Sequence, residues 1–182
     1  MTAPEYIQLR AFARYDGLKL FVLWLISFVF YVLGPKMPFL GVAAAPLAAI
    51  TPLVAYQLLR HYRDVGLDGV ISVRRGWAYV VFLFFYASLL FALAQFVYFA
   101  FLDKGYFVST MSQMLNDPAT SVSLKQMGML AQVNDALRQF EQMRPIDLVL
   151  NILTTNLLIG CMVGLPVALI AARSRVKKIR KS

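Results

Sequence analysis

The sequence predicts an all-α fold: a four-helix transmembrane bundle with an amphipathic, extracytoplasmic helical loop between spans 3 and 4. Three observations predict it. First, 60% of the 182 residues are apolar and 15% are charged, against about 45–50% and about 25% in soluble domains. Mean hydropathy is +0.66. A domain of about 20 kDa still exposes much of its surface, so one ordinary core cannot hide this excess. Second, the apolar residues gather in four long runs. Third, the basic residues gather on alternate connections between those runs.

The spans are expected at about 18–33, 39–59, 77–102 and 146–172, within one integral membrane domain covering 1–182. A helix needs roughly 20 residues to cross the hydrocarbon layer. The last three runs satisfy this, and their only charge is Asp147 at the boundary of the fourth. The first is shorter, but Lys19 at its start can snorkel to the interface. Its eleven Leu, Ile, Val and Phe residues between Leu20 and Leu33 favour insertion by about 3–6 kcal/mol. The segment Phe30-Tyr31-Val32-Leu33-Gly34-Pro35 lacks the small-x-small pattern of a signal-peptidase site, so this run is expected to stay as a span.

Charge sets the expected orientation. Arg10, Arg14 and Lys19 precede span 1, and Arg60, Arg63, Arg74 and Arg75 lie between spans 2 and 3. Arg173, Arg175, Lys177, Lys178, Arg180 and Lys181 form a basic tail over 173–182. With four spans these segments share one side and hold 13 of the 18 basic residues, for a net of +9. The other side carries five bases and five acids. The positive-inside bias then puts both termini in the cytoplasm, where anionic headgroups meet Arg60, Arg63, Arg74, Arg75, Lys177 and Lys178. A basic run directly after a span fixes topology and holds lipid, so no nucleic-acid partner is expected.

Within span 4, Gly160, Gly164, Ala168 and Ala172 recur every four residues. Such a stripe lets backbones approach closely, either inside the bundle or at a homodimer seam. Pro166 should kink this span. Pro46 and Pro52 punctuate span 2, as a static bend or as a hinge. Gln95, Asn151 and Thr155 are candidates to line a polar cavity, and Asp147 lies near Arg144 at the span boundary.

The connection 103–145 is too patterned for a linker. Phe107, Val108, Met111, Met114 and Leu115 make one apolar face at helical spacing, and Asn116-Asp117-Pro118 ends it. Leu130, Val133, Leu137 and Phe140 make a second face, with Ser121 or Ser123 as the expected cap. Two amphipathic helices are therefore expected. They either fold over the bundle or offer Met111, Met114, Leu137 and Phe140 to a membrane-protein partner.

No catalytic constellation emerges. The only histidine, His61, and the only cysteine, Cys161, fall near the end and in the middle of different spans. No multi-ligand zinc pattern, P-loop or Gly-x-Gly-x-x-Gly is present, and no cofactor is expected. Three function classes remain. An envelope accessory or scaffold protein acting through lipids or membrane partners leads. A small transporter or lipid-handling protein and a polyprenyl-phosphate-linked enzyme follow.

Three features together resemble an uncharacterised bacterial family of small four-span membrane proteins, domain of unknown function 4199. They are Tyr62-Arg63-Asp64 followed by Gly69-Val70-Ile71-Ser72, the Met- and Gln-rich segment ending in Pro145, and Pro166-Val-Ala-Leu-Ile-Ala-Ala before the basic tail. The resemblance spans about residues 12–178. It implies a bacterial inner-membrane location and carries over no catalytic residue.

Overall fold

The computed structural model describes residues 1–172; Lys177, Lys178 and the rest of the tail expected at 173–182 lie outside the described residues. Eight α-helices follow in order: α1 (Ala3–Leu33), α2 (Pro38–Ala49), α3 (Thr51–Gly66), α4 (Val73–Val97), α5 (Tyr106–Asn116), α6 (Pro118–Gln126), α7 (Leu130–Gln142) and α8 (Pro145–Ala171). A π turn, Tyr98–Leu102, prolongs α4. Among the described residues there is no strand.

Three of these helices, α1, α4 with its π turn, and α8, are long and apolar enough to cross a membrane. The pair α2–α3 passes the same test as one span bent by 43°. The bend sits at Ile50, between Pro46 inside α2 and Pro52 in the first turn of α3. Pro52 has no N–H to give the carbonyl of Ala48, four residues back. The Thr51 hydroxyl takes its place, donating to Ala48 O at 2.7 Å and accepting from Trp24 Nε1 at 3.0 Å. Ser27 Oγ adds a bond to Ala44 O at 2.9 Å. The α2–α3 pair is thus broken where Pro52 removes a donor, and a side chain satisfies the carbonyl it frees, as a lipid interior would demand.

The first helix begins at Ala3, well before the expected start of span 1. Thr2 and Glu5 form a capping box at its N-terminus. Its buried face, Leu9, Ala13, Asp16, Leu20, Trp24 and Ser27, continues one stripe from end to end. Pro166 does not break α8, which runs through it as one helix.

Helix α4 is central. It packs along both α8 and α1, while α2 folds back on α1 and α3 reaches α8. Small residues set the spacing. A Cβ added at Gly160 would meet Phe84 Cβ at 2.6 Å, and one at Gly17 would meet Tyr86 Cβ at 2.9 Å. Gly164 rests on Trp77 and Val80, and Gly76 rests on Ala168. The small-residue stripe therefore faces α4 within the chain. Outward faces are apolar: Phe39 is 82% and Met162 76% exposed, a surface suited to lipid.

Gly160→Ala tests this approach. Alanine should favour a helix by about 0.5–1 kcal/mol. Overpacking against Phe84 should cost about 1–3 kcal/mol. A net fall in melting temperature in detergent is expected, and a rise would contradict the packing.

Candidate functional site

The N-terminus of the chain, the C-terminal end of α3, the start of α4 and the end of α8 gather at one pole, the arginine end. Its four candidate arginines have different fates. Arg63 is only 2% exposed. It donates to both carboxylate oxygens of Asp64, at 2.7 and 3.0 Å, and to Ala171 O at 2.9 Å. It thereby satisfies a carbonyl at the C-terminus of α8, where the helix dipole favours a cation. Arg75 donates to Tyr62 Oη, Glu5 Oε1 and Gln8 Oε1 at 3.1–3.2 Å. Gln8 in turn donates to Gly66 O at 2.9 Å. These two guanidiniums hold α1, α3, α4 and α8 together. Arg74 is exposed, and Arg60 is exposed with Asp64 at 3.6 Å, so these two face the surroundings. Of the four arginines expected at headgroups, only Arg60 and Arg74 stay exposed, because burial and polar partners on neighbouring helices consume Arg63 and Arg75.

An acid escaped the sequence reading. Asp16 is 1% exposed in α1. It accepts from Tyr79 Oη at 2.5 Å and from Lys19 Nζ at 2.7 Å. Tyr79 stacks on Tyr62 with ring centres 4.8 Å apart, which joins Asp16 to the Arg75 cluster. The signal was present in the sequence: Asp16 falls in helical register with Leu9, Ala13 and Leu20, on the apolar face.

The three residues proposed for a polar cavity do not meet. Gln95 is buried, whereas Asn151 and Thr155 are exposed on α8. Gln95 Oε1 and, two turns earlier, Ser88 Oγ are buried with no hydrogen-bond partner among the described residues. Asp147 instead forms a bidentate pair with Arg144, at 2.7 and 2.9 Å, and Thr154 bonds back to Leu150 O.

A different cavity is present. It measures about 610 Å³ and lies between α1, the α2–α3 bend, α4 and α8. Trp24, Phe28, Phe84 and Phe91 form its aromatic side, and Gly41, Ala44, Ala45, Ala48 and Ala49 form the facing wall. Asn156, one residue beyond Thr155, brings an amide to it. The hydroxyls of Ser27 and Thr51 and the indole N–H of Trp24 are bonded to their neighbours. Tyr31 adds a phenol, and the remaining lining is apolar.

At the opposite pole, the loop end, the connection forms three helices where two were expected. Gly128, in the left-handed region at φ +69°, separates α6 from α7. Ser121 and Ser123, expected to cap the helix of Leu130 and Phe140, lie inside α6. Asp117 caps α6 by accepting from Thr120 N at 3.1 Å, and α7 follows Met129 with no side-chain cap. Phe107 of α5 and Phe140 of α7 pack on each other at 4.8 Å and on Phe99 of the π turn at 6.1 and 5.7 Å. The loop helices therefore dock on their own bundle. Leu137 and Met111 are half-buried, while Met114, Met127, Met129 and Met143 are exposed.

Long apolar helices with outward apolar faces, joined by small-residue packing, define a membrane-spanning helical bundle. The chain belongs to the family described as protein of unknown function DUF4199, whose model matches residues 15–173. No curated protein and no solved structure matches it.

Two substitutions separate structural from exposed arginines. Arg63→Ala is expected to cost about 2–3 kcal/mol, below the full buried-pair range because Asp64 is 41% exposed. Arg74→Ala should stay within about 0.5 kcal/mol. Thermal unfolding in detergent reads both. By the same assay Gln95→Met should gain about 1–3 kcal/mol by removing an unpaired buried carbonyl.

Proposed function

We propose that the protein is a lipid-binding accessory protein of the bacterial inner membrane, with both termini in the cytoplasm and α2–α3 as one bent span. Charge supports the orientation: the segments at the arginine end, with the basic tail, carry the whole net charge of +9. Arg60 and Arg74 then meet anionic headgroups of the inner leaflet. The observation that carries the function is the cavity of about 610 Å³. That volume falls within the roughly 300–1,000 Å³ of small-molecule sites. Its walls are apolar and it lies along the spans, so the ligand it suits is a lipid acyl chain. A polar solute would need a polar route through the bundle, and Gln95, Asn151 and Thr155 do not make one.

The exposed methionines of the loop helices favour a second reading, a membrane-protein partner or a second copy seated on α5–α7. It is compatible with the first, since a lipid binder can also present its ligand to a partner.

Photolabelling tests the lipid reading. The full chain in membranes is irradiated with a phospholipid carrying a diazirine in its acyl chain. Labelled peptides are expected from α1 and α2, around Trp24 and Ala44. Ala48→Trp fills the cavity and should remove most of that label while leaving labelling around Met162 on the outer face. Equal labelling of the two proteins would overturn the reading.

A further inference from the structure

The loop end carries a second concavity, of about 590 Å³, lined at its polar rim by Lys36, Lys104, Tyr106 and Ser109. Lys36 follows α1, and Lys104 lies between the π turn and α5. Their convergence is a product of folding. Lys36 Nζ lies 5.0 Å from the centre of the Tyr106 ring, which holds its ammonium at the rim. Neither lysine forms an ion pair among the described residues. The other cation at the start of α8, Arg144, is paired with Asp147.

One carboxylate, Asp103, also borders this concavity, and it would repel an anion if it were free. It is 7% exposed, and its oxygens accept from Phe107 N at 3.0 Å and Gly105 N at 3.2 Å. Its charge is spread into the turn that it caps. That turn holds Lys104 at φ +47°, a left-handed conformation costly for any side chain but glycine. The chain thus accepts strain where it presents a lysine beside a π turn, a combination that clusters at functional sites.

The floor of the concavity is apolar. Val32 and Leu33 close α1, and Leu102 closes the π turn, 66% exposed. A site with an apolar floor continuous with the spans and two unpaired ammonium groups above has the polarity of a phospholipid at the interface. Tyr31 lines the acyl-chain cavity and Val32 and Leu33 line this one, so both open on the same turn of α1.

We infer that Lys36 and Lys104 form a binding site for the phosphate headgroup of an anionic phospholipid. This rests on the lipid-binding reading of the cavity and names the class of lipid. Lysine is a suitable phosphate partner because its compact charge needs no fixed bidentate geometry. Each lysine near an anionic headgroup supplies about a fivefold preference, so the pair supplies on the order of 25-fold.

Native mass spectrometry of the full chain in detergent provides the test, with phosphatidic acid and phosphatidylcholine of identical acyl chains. The wild type is expected to retain phosphatidic acid in preference by that factor. In Lys36→Gln/Lys104→Gln the ratio should fall toward one, and in Lys36→Arg/Lys104→Arg it should persist. An unchanged ratio in the glutamine variant, with adducts still lost in Ala48→Trp, overturns the headgroup site alone. Adducts of both lipids that survive Ala48→Trp overturn the cavity reading and this inference with it. A wild type that is stabilised by inorganic phosphate, yet retains both lipids equally, assigns the lysines to free phosphate and overturns the lipid source.

Discussion

The close approach of α4 to its two neighbours is the constraint on which the rest of this molecule depends. In lipid, apolar side chains gain little by leaving one hydrocarbon environment for another, so packing must hold the helices together. Gly160 leaves room for Phe84, Gly164 for Trp77 and Val80, and Gly17 for Tyr86. These contacts put α1 and α8 on adjoining faces of one helix, with Phe84 touching both. They also set the register that brings Tyr79 to Asp16 and the start of α4 to the end of α8.

Polar groups then fasten the arginine end. Asp16 and Arg63 are both almost fully buried, and each is paired and hydrogen-bonded. An unpaired charge in that position would cost several kcal/mol. These residues specify which helix ends meet. Gln95 and Ser88 behave differently, for their unpaired oxygens sit inside α4's packed faces and detract from stability.

The cavity follows from the composition of α2. Its inward wall offers only glycine and alanine, and these cannot reach the aromatic side formed by Trp24, Phe28, Phe84 and Phe91. Thr51 holds the proline bend from within, tying it to Trp24. The same α1 hairpin that frames the cavity ends in Lys36. The placing of the cavity and of the lysine pair therefore depends on one short connection, 34–37, whose tightness comes from the contact of Gly34 with Gly41.

The sequence by itself determined the membrane-spanning class, the helical content, the approximate spans and the side of α8 that packs. These follow from hydropathy and periodicity, which depend on residues near one another in the chain. Even the burial of Asp16 was written in its register with Leu9 and Leu20. Tertiary structure decided the rest. It consumed Arg63 and Arg75 while leaving Arg60 and Arg74 exposed, although all four read alike as basic residues flanking spans. It turned Asn151 and Thr155 outward and brought Asn156 to the cavity, a choice set by the rotation of α8 on α4. It joined Lys36 to Lys104. Hydropathy states whether a residue prefers lipid or water, but a partner is chosen by helix register and rotation, and these exist only once the helices pack.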